Sequence, residues 1–136
     1  MDLVFGNISI PGVLSLYKLK PVPLEITYHE VAPGAVLLVL SGRLMLGPEG
    51  QALERKVDEL LAKGYRKFIF DLAGVTHIDS TGIGRCIAGL NKIMAAGGKL
   101  HMAAAARPVR EGFRVTRLDR VFRFYDDIDS AKLALA

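Results

Sequence analysis

Phe68-Ile69-Phe70-Asp71-Leu72-Ala73-Gly74-Val75-Thr76-His77-Ile78-Asp79-Ser80-Thr81-Gly82-Ile83-Gly84 reads as a buried strand, a short turn and the start of a helix. Phe68 to Phe70 are continuously apolar, as in a central strand covered on both faces. Asp71 and Gly74 are expected to leave the strand. Asp79 or Ser80 is placed to cap a helix by accepting a hydrogen bond from a free backbone N–H of its first turn. Ile83, Ile87, Leu90 and Met94 then recur at helical spacing. Thr81, a small hydroxyl residue, is therefore expected at the positive end of a helix, just beyond a strand's carboxyl end. Ligands and partners meet open α/β sheets at such places.

Upstream, Leu24, Ile26 and Tyr28 alternate with Glu25, Thr27 and His29, the pattern of a half-buried strand. Ala32-Pro33-Gly34 is a turn, and Ala35 to Leu40 is an apolar run suited to a more central strand. The two are expected to form an antiparallel hairpin, with Ser41-Gly42-Arg43 leading out of it. Pro48 suits the first turn of a helix, where its missing N–H costs nothing. Leu53, Val57, Leu60 and Leu61 give that helix an apolar stripe, and Gly64 is a stop signal.

Downstream, Gly97-Gly98 closes the central helix. Lys99 to Ala103 is read as a strand with Leu100 and Met102 inward. Pro108 starts a third helix with Val109, Phe113 and Thr116 on its inner side. Val121 to Tyr125 is a short strand. Asp126 or Asp127 caps a last helix through Ile128, Ala131, Leu133 and Leu135. Strands alternating with helices after a hairpin imply an α/β fold, a mixed and mostly parallel sheet packed with about four helices. Pro11-Gly12 and Pro21-Val22-Pro23 set residues 1–23 apart as an N-terminal extension, leaving 24–136 as the single domain. Val13, Leu14, Leu16 and Leu19 could form an extra strand or dock on the domain; an extension outside the core is the preferred reading.

The chain has 136 residues, about half of them hydrophobic, enough for one sizeable core. Its formal charge of +4 is too mild to argue for nucleic acid. Its one cysteine, Cys86, allows no intrachain disulfide and fits a reducing compartment. No apolar run approaches the ~20 residues of a membrane span. Asp2 and the lack of a basic leader argue against a secretory signal, so a cytoplasmic location is expected.

His29, His77 and His101 are scattered, so no metal site is expected. His77 is read as a hydrogen-bonded structural histidine. There is no phosphate-binding loop, and Gly82-Ile83-Gly84 lacks the third glycine of a dinucleotide fingerprint; no cofactor is expected. Two glycines in a first helical turn cost ~1 kcal/mol each relative to alanine. Close packing and the close approach of a partner are both open as compensation.

Phe70-Asp71-Leu72-Ala73-Gly74-Val75 superficially resembles the nucleophile loop of haloacid-dehalogenase phosphatases, but Ala73 stands where the second acid belongs. No motif places a base near Ser80 or Thr81. An enzyme is not expected, and a small phosphatase or nucleotide hydrolase is the least favoured reading. Arg107, Arg110, Arg114 and Arg117 share one helical face, with Arg120 beyond. They form a solvated face paired with Glu111, Asp119, Asp126 or Asp127, or a docking surface for an acidic partner. No aromatic side chains interleave with them, so direct nucleic-acid binding is not expected.

At Val75-Thr76-His77-Ile78-Asp79-Ser80-Thr81-Gly82-Ile83-Gly84 the sequence resembles the STAS domain of anti-sigma-factor antagonists. That family's signature is a strand ending in Asp-Leu, a short turn, then Asp-Ser-Ser/Thr-Gly-x-Gly. The resemblance runs from about Leu24 to Leu135. It includes Leu40-Ser41-Gly42-Arg43-Leu44, Gly97-Gly98 and Leu118-Asp119-Arg120-Val121-Phe122. It implies an anti-sigma-factor antagonist that binds an anti-sigma factor with serine/threonine kinase activity in partner switching. It also implies phosphorylation of the second hydroxyl residue of the motif, Thr81, with Ser80 as second choice. The partner surface is then expected at Asp79, Ser80, Thr81, Gly82, Ile83 and Gly84, joined by Arg110 and Arg114. The family commonly carries an acid directly after Gly-x-Leu, where this chain has Met45. Some relatives keep the fold without phosphorylation, as accessory subunits of transporters or as signalling scaffolds, and that is the alternative reading.

Overall fold

The computed structural model describes residues 4–5, 8–9, 24–45 and 50–135. Pro48 and residues 10–23, with the expectations attached to them, lie outside the described residues. Near the start, Val4–Phe5 and Ile8–Ser9 pair as a two-residue antiparallel ladder.

Five strands form the sheet: β1 (Glu25–Ala32), β2 (Ala35–Leu44), β3 (Lys67–Ile78), β4 (Lys99–Ala103) and β5 (Arg123–Tyr125). They lie side by side in chain order. The β1–β2 pair is antiparallel and the other three pairs are parallel. The helices are α1 (Gly50–Ala62), α2 (Ser80–Ala95), α3 (Arg107–Val115) and α4 (Ile128–Leu135). Because the parallel strands advance in one direction, crossovers of one hand place α1, α2 and α3 on the same face.

Period-two alternation divides the core accordingly. Val36, Leu38, Leu40, Phe68, Phe70, Leu100 and Met102 face those three helices, which contribute Leu53, Val57, Leu60, Ile83, Cys86, Leu90, Ile93, Val109 and Phe113. Phe113 packs edge-on against Phe122 and Phe124, with ring centroids at 5.3 and 5.1 Å. The opposite face holds a smaller cluster of Leu37, Ile69, Ala103, Ala131 and Leu135, covered by α4. The α/β class, the hairpin, the mixed sheet and the four helices among the described residues agree with the reading of the sequence.

The main difference lies in β3. Asp71 and Gly74 do not end it; it continues to Ile78. Pairing with β4 stops at Asp71↔Ala103, but β2 follows β3 onward through Ser41↔Gly74, Gly42↔Val75, Arg43↔His77 and Leu44↔Ile78. The register shifts between Val39 and Ser41, and again between Gly42 and Arg43, each time with an additional residue on β3. Such bulges bend a strand and re-aim its side chains. The first is braced by Asp71, whose buried carboxylate accepts the Ala73 N–H at 3.0 Å. At the second, the Thr76 hydroxyl donates to the Gly42 carbonyl at 3.2 Å. At Gly74 a Cβ would stand 2.7 Å from Ser41 Cβ, so the glycine serves close strand contact rather than a turn.

Smaller differences arise in the last turns of helices and just beyond them. Met94 is exposed and Ile93 is buried instead. Thr116 lies beyond α3 and returns its hydroxyl to the Gly112 and Phe113 carbonyls. Leu118–Arg120 form a 3-10 turn and Val121 is exposed, so β5 begins only at Arg123. Leu133 is exposed; Ala131 and Leu135 anchor α4.

Candidate functional site

The second bulge of β3 delivers the chain to Asp79, which is the N-cap of α2. Its backbone is extended, at φ −124° and ψ −176°, and its Oδ1 accepts the Gly82 N–H at 2.8 Å. The Asp79 carbonyl accepts the Ile83 N–H at 2.9 Å. Ser80 and Thr81 are thus the first two helical residues. The alternative in which Ser80 caps the helix is corrected: the aspartate carboxylate already occupies that role, as its charge favours at a helix N-terminus. Ser80 is exposed and Thr81 is half-buried. No capping bond therefore turns the Ser80 hydroxyl back toward the backbone, and capping gives no ground for ranking Thr81 above it.

The two glycines of the motif have different reasons. A Cβ on Gly82 would stand 1.9 Å from the Leu44 carbonyl oxygen and 2.7 Å from its carbon. Gly82 lets the start of α2 lie directly on the end of β2. Around Gly84 a Cβ would meet nothing within 4 Å, and the residue is exposed. Packing accounts for the first glycine and leaves the second without an internal cause.

Beneath them Ile83 is buried at 5% exposure and belongs to the main core. It therefore anchors the motif and offers little surface. His77 is exposed, with Nδ1 3.0 Å from Thr76 Oγ1. The buried histidine is His101, whose Nδ1 lies 3.2 Å from the Ala131 carbonyl and whose ring packs on Tyr125. Met45 is half-buried; its sulfur accepts a bond from Arg43 Nη2 at 3.2 Å. Burial pushes the Cys86 thiol up to about 12, so a thiolate at neutral pH is strongly disfavoured there.

Helix α3 lies beside the motif: a Cβ on Gly112 would stand 3.2 Å from Ile78 Cγ2. Its exposed side carries Arg107, Arg110 and Arg114. Arg110 Nη1 is 3.2 Å from Asp126 Oδ1, and its guanidinium lies 5.5 Å from the Phe124 ring centroid. Arg114 Nε donates to Glu111 Oε2 at 2.9 Å, and this bond holds the Glu111 carboxyl below its ordinary range. Arg117 falls outside the helix, with φ at 61°. The arginines point toward a cleft bounded by β5, not onto the surface of Ser80 and Thr81. Arg123, on β5, joins them there; its place in an edge strand was the available signal, and the helical spacing of the others hid it.

No group of three or more His, Cys, Asp or Glu side chains able to hold a metal occurs among the described residues. No helix among them is long and apolar enough to cross a membrane. What the motif presents is two hydroxyls and an open glycine on the first turn of a helix rooted in the core.

The STAS domain model matches residues 29–131. The chain belongs to the STAS domain family. A curated relative from Thermotoga maritima, described as a "Putative anti-sigma factor antagonist", is 35% identical over 74 residues, which make up 54% of this chain and 66% of the relative. The solved structure of the anti-sigma factor antagonist SpoIIAA in its unphosphorylated form matches with a TM-score of 0.68 at 16% identity, covering 81% of this chain and 96% of that one. A sulfate transporter family protein from Wolinella succinogenes matches with a TM-score of 0.67 at 20% identity, covering 77% and 90%. The last two establish likeness of fold.

Proposed function

We propose that this chain, over residues 24–136, is an anti-sigma-factor antagonist. It binds an anti-sigma factor with serine/threonine kinase activity and is switched by phosphorylation at Thr81. The observation that carries this reading is the Asp79-Ser80-Thr81-Gly82-Ile83-Gly84 turn, which sets two hydroxyls and the open Gly84 on one rigid helix start. The relative from Thermotoga maritima supports the same reading. Asp79, Ser80, Thr81 and Gly84 form the contact surface, while Gly82 and Ile83, both buried, support it from beneath and are corrected as direct contacts. Arg110 and Arg114 supply further contacts from α3.

In the switching step the kinase moves the γ-phosphoryl group of ATP to Thr81 Oγ1. The hydroxyl proton passes to the kinase's base and ADP leaves. The new group adds about −1.5 to −2 charges at neutral pH. Its own domain tolerates that charge through the N-terminal helix dipole. The partner, complementary to a neutral hydroxyl, does not. Thr81 is preferred to Ser80 because it holds the second hydroxyl position of the family signature.

Met45 favours a second reading. A thioether there replaces the acid common in the family, and it is engaged by Arg43. In that reading the chain is a STAS accessory subunit of a transporter or a scaffold and is not phosphorylated.

Mass spectrometry of the intact chain and its peptides, after incubation with the partner kinase and ATP, tests the proposal. One phosphate is expected on Thr81. Thr81→Ala should stay folded, bind the partner and resist phosphorylation, and Thr81→Glu should bind more weakly. Phosphate on Ser80 alone overturns the assignment. No phosphate on either residue, with binding intact, selects the second reading.

A further inference from the structure

We propose that the cleft between α3 and β5 is a docking groove for an extended acidic segment of a protein partner. The proposal rests on the reading above only in taking Arg110 and Arg114 as partner contacts; it needs nothing from Thr81.

The cleft encloses about 800 Å3 and is lined by Arg107, Arg110, Arg114, Arg120 and Arg123, against the two carboxylates of Glu111 and Asp119. Arg110 is paired with Asp126 and Arg114 with Glu111. Arg107, Arg120 and Arg123 make no ion pair among the described residues. The five arginines of the lining outnumber its two carboxylates, and an anionic ligand offsets the remaining positive charge. The floor is apolar: Ala105, Phe122 and Phe124 line it, and Phe122 is 2% exposed. A low-dielectric floor beneath charges of one sign focuses their field into the cleft.

Geometry separates an extended ligand from a compact one. Arg107 to Arg114 spans about 10 Å along α3 at 1.5 Å per residue. Arg120 and Arg123 continue the array on two other elements. The charges are strung out along the cleft instead of converging on one point, as a single phosphate requires. Alternate side chains of an extended peptide recur about every 7 Å. That repeat lets successive carboxylates meet successive arginines. β5 is also the edge of the sheet, paired with β4 on one side only among the described residues. A chain lying in the cleft therefore runs along a free strand edge, a recurrent mode of peptide capture.

The test uses the purified full chain and a fluorescein-labelled peptide of alternating glutamate and leucine, read by fluorescence anisotropy. Saturable binding at low salt is expected, falling as salt screens the arginines. Arg107→Gln combined with Arg123→Gln should weaken it about tenfold, with an unchanged melting temperature, since exposed charges contribute little to stability. Should the double variant not fold, Arg107→Gln alone makes the same comparison. Absence of saturable binding, or equal binding by the folded variant, overturns the proposal. So does displacement by inorganic triphosphate as readily as by unlabelled peptide, which marks a compact-anion site. Tighter binding of a duplex DNA oligomer assigns the cleft to nucleic acid and overturns it too. Thr81→Ala should bind the peptide as the parent does. Lost phosphorylation with retained peptide binding therefore strikes only the earlier reading.

Discussion

Gly82 and Gly84 stand two residues apart in one helical turn, and their replacement by alanine should act in opposite directions. Alanine improves on glycine in a helix by ~1 kcal/mol. At Gly84 nothing lies within 4 Å of the new methyl, so Gly84→Ala should realise most of that gain. At Gly82 the new Cβ would stand 1.9 Å from the Leu44 carbonyl oxygen, where ordinary contact begins at 3.4 Å. The obstacle is backbone, and Leu44 is held in register with Ile78. Relief requires the start of α2 to move off the end of β2. Overpacking of this kind costs ~1–3 kcal/mol, and a backbone clash this close belongs at the upper end. After the propensity gain, a net loss of about 2 kcal/mol remains, or about 7 °C in melting temperature for a domain of this size. Gly84→Ala should instead melt about 3 °C higher. Urea unfolding followed by circular dichroism measures both. A Gly82→Ala variant within about 0.5 kcal/mol of the parent would refute the close contact, since propensity cannot offset a real backbone clash. If a partner uses the open space, Gly84→Ala should also bind it more weakly while being the more stable protein.

Cys86 should not react with thiol reagents at neutral pH in the folded chain and should react fully in urea, because burial pushes its thiol up to about 12. Rapid labelling of the native protein would place Cys86 outside the core. The Asp127 carboxyl is held below its ordinary range by the Ser130 backbone N–H, which it accepts at 2.7 Å. Its stabilising contribution is therefore complete above the unfolded carboxylate range and lost as pH falls through the folded value. Asp127→Asn should flatten that part of the acid limb in melts recorded against pH. Deleting residues 1–23 should leave cooperative thermal unfolding of the remaining chain; loss of the transition would place Leu14, Leu16 and Leu19 in the core.

The fold was legible because each core element carries a strong local signal. The alternation at Leu24–Tyr28, the run at Ala35–Leu40 and the stripe Leu53-Val57-Leu60 all matched their burial. What escaped was the path of β3. Asp71 and Gly74 are turn residues by composition, but here they serve bulges, which depend on the register of a strand some thirty residues away. Local sequence does not contain that register. The cap of α2 was visible as a pair of candidates, and the extended backbone at Asp79 selected between them. The glycines were visible as a cost whose origin lies partly in Leu44, again a distant contact. The arginine cleft was half legible: helical spacing gathered Arg107, Arg110 and Arg114, while β5 brought Arg123 from outside any periodic pattern.

The proposed switch depends on how little the motif can move. Ile83 is seated in the larger core cluster, Gly82 rests on the Leu44 backbone, and Asp79 closes the first turn through Gly82. These attachments fix the helix start that carries Thr81. A flexible loop could fold a new charge away from a partner and blunt its effect. A helix start locked in this way cannot, so the electrostatic consequence of phosphorylation falls on whatever docks there. The added charge meets a helix N-terminus, whose dipole limits the damage to the domain, and shares it with the capping carboxylate of Asp79. Loosening the platform should therefore weaken the switch even where Thr81 is still phosphorylated. Gly82→Ala provides that case: phosphorylation of this variant should reduce partner binding by a smaller factor than it does in the parent. An equal reduction in both would show that the rigidity of the helix start is not what transmits the charge.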